Sequence, residues 1–229
     1  MYLSVLIPFY NEDDLIEQNI LKIINYLTSK FEFEILIIND SGKTNPVLEK
    51  LNNKFEYISL YNNKKNFGKG YSIRKGVTML TGEIVLISDA DLATPIEELE
   101  KLYKHHKSKN DIVIGSRSCV DSEILTKQPF YRIIAGKVYN FLTKLILGFN
   151  FNDTQCGFKL FHVSVLRKLI NYTSADRFGI DIELIYFAKK NKYNIHEVGV
   201  RWKDQKKTSV LLIKDSFRMF FEIIILRFK

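Results

Sequence analysis

The chain has 229 residues, 46% of them hydrophobic and 26% charged, with a net charge of +8. That is a globular composition with ample apolar material for one core, which excludes a disordered or low-complexity protein. Two widely separated cysteines, Cys119 and Cys156, exclude a disulfide framework and a cysteine-based zinc module and suit a reduced compartment.

Residues 1–229 read as one unit, without repeat or linker. The opening run Met1–Pro8 lacks a basic segment and stops too soon for a signal peptide. No apolar run approaches the roughly 20 residues of a spanning helix. A soluble or peripheral protein on the cytoplasmic side is therefore expected.

In chain order, Tyr2–Pro8, Glu34–Asn39, Tyr57–Tyr61, Ile84–Ser88 and Ile112–Gly115 read as buried strands rich in Ile, Val and Leu. Between them Asp14–Thr28, Pro46–Asn53, Tyr71–Leu80 and Pro95–His106 carry helical spacing. Ile16, Ile20, Ile23, Ile24 and Leu27 make the first stripe. Thr94 is the expected N-cap of the fourth helix, with Pro95 at its first position. Such alternation predicts an α/β fold with a mainly parallel sheet covered on both faces. Two further stretches, Tyr131–Phe149 and Arg218–Lys229, read as amphipathic helices. Ile134, Val138, Phe141, Leu142, Leu145 and Phe149 share one face of the former, opposite Lys137, Asn140 and Lys144. Phe220, Phe221, Ile224 and Ile225 stripe the latter. From Arg201 onward eight Lys/Arg face three Asp/Glu. A basic end of this kind suits nucleic acid, a phosphorylated substrate or an anionic membrane. Core packing and interfacial docking both remain open for the two stripes.

Ligands of open parallel sheets bind beyond the carboxyl ends of the strands. The loop after the first strand, Phe9–Asp14, is acidic and lacks glycine, which excludes a dinucleotide fingerprint because its carboxylates would repel a diphosphate. Glu12, Asp13 and Asp14 can instead accept hydrogen bonds from a nucleobase or ribose, or act as helix N-terminal charges. Asp89 and Asp91 are expected on one side of an extended segment, where paired carboxylates suit a hard divalent cation shared with substrate phosphates. Lys69, Arg74, Arg117 and Arg132 supply the positive counterpart. Gly68 and Gly70 are expected to let backbone approach a ligand.

Pro8-Phe9-Tyr10-Asn11-Glu12, Asn39-Asp40-Ser41, Asn66-Phe67-Gly68-Lys69-Gly70 and Asp89-Ala90-Asp91-Leu92 together resemble family 2 inverting glycosyltransferases of the GT-A (Rossmann-like) fold. Gly115-Ser116-Arg117, Arg132, Asp153–Phe161 and Phe178–Leu184 narrow the resemblance to dolichyl-phosphate β-glucosyltransferases and their prokaryotic polyprenyl-phosphate relatives. It runs from about Leu3 to Phe217. The resemblance implies that Pro8, Tyr10, Glu12 and Asp40 hold the nucleoside, with Asp89 near ribose and metal. It makes Asp91 the main ligand of Mg²⁺ or Mn²⁺, and Arg117 and Arg132 the holders of phosphate, above all that of the lipid acceptor. Gln155 and the Gly157–Phe158 turn would shape the sugar pocket. Two positions depart from the pattern. Lys207-Thr208-Ser209 stands where relatives carry Gly-Ser-Lys, leaving Lys206 or Lys207 as substitutes. Ala93 replaces the Gln of mannosyl-transferring cousins, which favours the glucosyl type.

The implied reaction is hexose transfer, with inversion, from a nucleoside diphosphate sugar such as UDP-glucose to a polyprenyl phosphate on the inner membrane face. Residues 1–117 would form the nucleotide-sugar half, and 118–229 the acceptor half with interface helices at 131–149 and 210–229. A membrane-protein partner could assist, and no nucleic acid is expected. The nearest alternative transfers to a sugar hydroxyl in polysaccharide or glycan assembly, with Asp153 or Asp181 as the base. A nucleotidyltransferase would need a glycine-rich basic first loop, and a plain basic binding module would not need Asp91.

Overall fold

The computed structural model describes residues 2–11, 15–205 and 212–229, with only the backbone given for 212–216. The strands are β1 (Tyr2–Phe9), β2 (Glu32–Asn39), β3 (Ile58–Asn62), β4 (Ile84–Ile87), β5 (Asp111–Ser116), β6 (Glu123–Thr126), β7 (Lys159–His162), β8 (Asn194–Gly199) and β9 (Arg201–Lys203). The helices are α1 (Ile16–Leu27), α2 (Pro46–Lys54), α3 (Lys69–Val77), α4 (Leu99–His105), α5 (Phe130–Leu147), α6 (Val163–Ile170), α7 (Ile180–Lys190) and α8 (Leu212–Arg227).

Seven strands form one sheet in the order β3-β2-β1-β4-β7-β5-β8, and β6 pairs with β9 in a small second sheet. All neighbours in the large sheet are parallel except β7, which runs antiparallel to β4 and β5. The reversal has a positional consequence. Lys159, the first residue of β7, lies opposite Ile87 at the end of β4. The loop before β7 therefore opens on the same rim as the carboxyl ends of the parallel strands, which brings 153–158 to the ligand side of the sheet.

The five expected strands form because their apolar residues alternate between two buried layers, as period-two side chains must. Val5, Ile7, Ile35, Ile37 and Leu86 pack with Ile20, Leu48 and Leu99 on one face. Leu6, Leu36, Ile38, Val85 and Ile87 pack with Ile73, Leu166 and Ile182 on the other. The first helix stripe, Ile16, Ile20, Ile23, Ile24 and Leu27, is buried as expected. Asn45 caps α2 by accepting from the N–H groups of Val47 and Leu48, with Pro46 at the first helical position.

Three expectations change. A 3-10 turn, Ile96–Glu98, precedes α4, and Pro95 sits outside it with extended backbone (ψ 144°), so Thr94 is not the cap. The Thr94 hydroxyl lies 3.8 Å from the Cys156 sulfur instead. Helix α3 starts at Lys69, two residues ahead of the expected Tyr71, with Gly68 at its N-cap. The largest change concerns the amphipathic helices. On α5, Ile134 (55%), Val138 (52%), Phe141 (65%) and Leu145 (71%) are exposed. Thr143 and Leu147 are the residues this helix buries, while Phe149 of the expected stripe lies beyond the helix and is buried. Helix α8 packs against α5 and exposes Phe217, Phe221 and Ile225, followed by Phe228. Each stripe is split: Leu142 and Phe220 pack against the core and Ile224 is half-buried, while Ile134, Val138, Phe141, Leu145, Phe221 and Ile225 turn outward. No helix among the described residues is long and apolar enough to cross a membrane.

Candidate active site

At the end of β4 the chain does not continue extended. The Leu92 N–H donates to the Asp89 carbonyl at 3.2 Å and Leu92 takes a left-handed φ of 48°. Asp89-Ala90-Asp91-Leu92 is therefore a turn, and the expectation of an extended segment is corrected. The turn is fixed from several sides. Asn19 of α1 donates to the Ala90 carbonyl, Gln205 donates to that of Asp91, and the Asp91 carboxylate accepts from the Ala93 N–H at 2.9 Å. Burial, then the neighbouring Asp89 charge, pushes the Asp91 carboxyl up to about 6. Two carboxylates this close, one of them desolvated, repel each other until a cation arrives.

Lys69, at the start of α3, is one such cation. Its Nζ lies 2.8 Å from Asp89 Oδ1 and 2.9 Å from Asp181 Oδ2, at the start of α7. The other Asp181 oxygen pairs with Lys159, which also donates to the Cys156 carbonyl. Asp181 and Lys159 are buried, and burial, the main influence opposing ionisation, is overcome by the two ammonium groups, which hold the Asp181 carboxyl below its ordinary range. Asp181 was expected as a candidate base. Each of its oxygens pairs with a lysine. Lys159 was not singled out by sequence reasoning; a lysine inside the apolar run Phe158–Phe161 was the available signal.

Arg117 at the end of β5 is similarly engaged. Its Nε and Nη2 donate to the two Asp153 oxygens at 2.6 and 2.9 Å, and its own N–H adds a third bond. Its guanidinium lies 5.5 Å from the centre of the Trp202 ring. Asp153 also accepts from the Gln155 N–H. Although burial opposes ionisation, Arg117 brings the Asp153 carboxyl down to about 2. The Arg117 fork thus joins the 153–158 loop to β5, and the two residues expected as phosphate holder and candidate base are paired with each other. Arg74 is bonded to the Ala175 carbonyl and to Asp176. Arg132, in the first turn of α5 and half-buried, has no carboxylate partner among the described residues.

Asp40, at the end of β2, is buried, and its described bonds go to protein donors: Asn63, and the N–H groups of Phe67 and Gly68 at 2.9 and 2.7 Å. It secures the loop that delivers Lys69. Gly68 and Gly70 leave room for protein rather than for a ligand. A Cβ on Gly68 would lie 2.3 Å from the Asp176 carbonyl, and one on Gly70 2.0 Å from that of Ala175. Gly157 has the closest fit to the turn itself, since a Cβ there would lie 1.9 Å from an Asp89 carboxylate oxygen. Pro8 and Tyr10 stand half-buried at the end of β1. Gln155 presents a buried side-chain N–H₂ without a hydrogen-bond partner among the described residues. Glu12, Asp13 and Asp14, and Lys206, Lys207, Thr208 and Ser209, lie outside the described residues.

Comparison with known proteins agrees with this architecture. The model of glycosyl transferase family 2 matches residues 4–170. A dolichyl-phosphate beta-glucosyltransferase of Dictyostelium discoideum is 32% identical over 100% of this chain and 75% of that protein. The Homo sapiens protein of the same name is 30% identical over 88% of this chain and 67% of its own length. Among solved structures, glucosyl-3-phosphoglycerate synthase from Mycobacterium tuberculosis, in complex with Mn²⁺, UDP and glucosyl-3-phosphoglycerate, matches with a TM-score of 0.67 at 16% identity, over 98% of this chain and 77% of that one. A Pyrobaculum calidifontis mannosyltransferase with GDP-mannose and Mn²⁺ matches at 0.57 and 16% identity, over 98% and 69%. With the family model spanning most of the chain, this protein belongs to glycosyl transferase family 2.

Proposed function

We propose that this chain transfers glucose, with inversion, from UDP-glucose to a polyprenyl phosphate of the dolichyl type, working peripherally on the cytoplasmic face of a membrane. The observation that carries the acceptor assignment is the outward apolar face of α5 and α8, beside a half whose relatives are named for a lipid phosphate. An exposed apolar patch of this kind marks an interaction surface, and Lys137 and Arg218 lie exposed on the same helices to meet anionic headgroups. A membrane-protein partner on this face is the second possibility.

The donor half, 1–117, brings Asp89 and Asp91 to one turn, and hard carboxylate oxygens of this kind fit Mg²⁺ or Mn²⁺. Among the described residues no group of three or more metal-binding side chains exists. That matches an ion that completes its shell with water and substrate phosphates. When bound, such an ion would neutralise charge on the departing nucleoside diphosphate. Pro8 and Tyr10 hold the nucleoside, Gln155 offers its N–H₂ to a sugar hydroxyl, and Arg132 receives the acceptor phosphate. The acceptor half, 118–229, is continuous in sequence only, since Gly157 and Asp181 reach back to the donor turn.

Neither aspartate weighed as a base is poised for that part. Asp153 and Asp181 are both held ionised by cations, so neither readily takes a proton near neutrality. A phosphate monoester, with a second pKa of about 6, arrives as a ready nucleophile and needs no base. The test is incubation of the purified protein with labelled UDP-glucose, Mg²⁺ or Mn²⁺ and polyprenyl phosphate in vesicles. Glucosylated lipid is expected. No lipid product with any common nucleotide sugar overturns the proposal, and label on an added saccharide would favour the hydroxyl-directed alternative.

A further inference from the structure

The ammonium of Lys69 occupies a carboxylate oxygen of Asp89, one of the two aspartates that would hold the metal. Asp89 Oδ1 is its partner at 2.8 Å, while its second partner, Asp181 Oδ2, stands at 2.9 Å. The two ends of this bridge differ. The Asp89 side chain is 41% exposed, whereas those of Asp181 and Lys159 are 3% and 1% exposed. Asp181 is anchored from behind by Lys159, so its hold on Lys69 is fixed, and the contact with Asp89 faces the ligand side. A lysine ammonium has three donors, and two are used here.

We infer that Lys69 is a built-in stand-in for the divalent ion: it neutralises Asp89 in the empty enzyme, keeps the bare ion weakly bound, and turns to the donor's diphosphate when ion and nucleotide enter together. The inference rests on the metal-dependent reading above. Entry of the ion at Asp89 displaces the ammonium, which Asp181 retains within reach of the same turn. The released charge then faces the incoming phosphates. Ion and nucleotide are thereby coupled through the chain as well as by direct coordination, and coupling of this kind is typically worth several-fold to a hundredfold in affinity.

The test is a titration with Mn²⁺ alone, following the free ion by electron paramagnetic resonance, on the full chain and on Lys69→Met and Lys69→Gln. Asp181 keeps Lys159 in both variants, and the glutamine can still donate to it, so at least one is expected to show wild-type circular dichroism. Both variants should bind bare Mn²⁺ about tenfold more tightly than the wild type, and UDP should enhance that binding by a smaller factor than it does in the wild type. Equal or weaker Mn²⁺ binding by a folded variant overturns the inference and leaves the metal reading standing. No Mn²⁺ binding to any of the three proteins, with or without UDP, overturns both.

Discussion

The rim beyond β4 and the paired helices α5 and α8 invert each other's chemistry. The rim buries charge: Lys69, Asp181 and Lys159 sit in or near the core, with side-chain exposures of 13%, 3% and 1%. The helices expose what is usually buried, with Phe130 at 75%, Phe141 at 65% and Phe221 at 59%. Neither arrangement is favourable in an isolated water-soluble domain. Each makes sense with a ligand in view, a cation and a diphosphate for the first and a lipid surface for the second. On the proposed function, these departures from ordinary partitioning would mark the two halves of the reaction.

The comparison can be broken first at the buried charges. Lys159→Met leaves Asp181 with one lysine, and breaking a buried pair of this kind costs about 3–5 kcal/mol. Urea denaturation should show a loss of that size, and a loss under about 1 kcal/mol would mean the network contributes little to the fold. Asp91→Ala should lower turnover roughly 10²–10³-fold with little change in melting temperature, since the lost bond from the Ala93 N–H is offset by removal of a charge that repels Asp89. Retained turnover would argue for a binding module.

Asp153 sharpens the same side. Its folded carboxyl, at about 2, lies below the ordinary 3.8. The pair with Arg117 therefore stabilises the fold fully above about pH 4, and this is lost as pH falls toward 2. The difference corresponds to about 2 kcal/mol. Asp153→Asn should be less stable than wild type by that order at pH 7, and the gap should close on acidification. A gap independent of pH between 2 and 7 would contradict the ion pair. The smallest effect belongs to the helices. Phe141→Ser with Phe221→Ser should reduce partition onto anionic vesicles about tenfold while leaving the melting temperature unchanged. Unchanged partition, or a large fall in melting temperature, would return these residues to the core.

The two regions also differ in how legible they were. The parallel strands could be read directly because burial on both faces leaves continuous Ile, Val and Leu runs, which place Asp89 and Asp91 at a strand end, although the turn they form was expected as an extended segment. The amphipathic stripe of α5 was visible, but its direction was not, because a stripe has the same period whether it faces a core or a membrane. The pairings of Lys69 with Asp181 and of Arg117 with Asp153 join residues 112 and 36 positions apart, and no local pattern encodes such contacts. The same holds for Gly68 and Gly70, whose missing side chains make room for the 175–177 backbone. The resemblance to known glycosyltransferases pointed to the candidate site, whereas the ion pairs of Asp153 and Asp181 became visible only in the structure.

The central claim is that the acceptor arrives already charged, so that neither Asp153 nor Asp181 is needed as a base. Its most direct test compares polyprenyl phosphate with the corresponding polyprenol, presented in identical vesicles with labelled UDP-glucose and Mn²⁺. The structure predicts glucosylated product from the phosphate and none above background from the alcohol. Comparable transfer to the alcohol would contradict it.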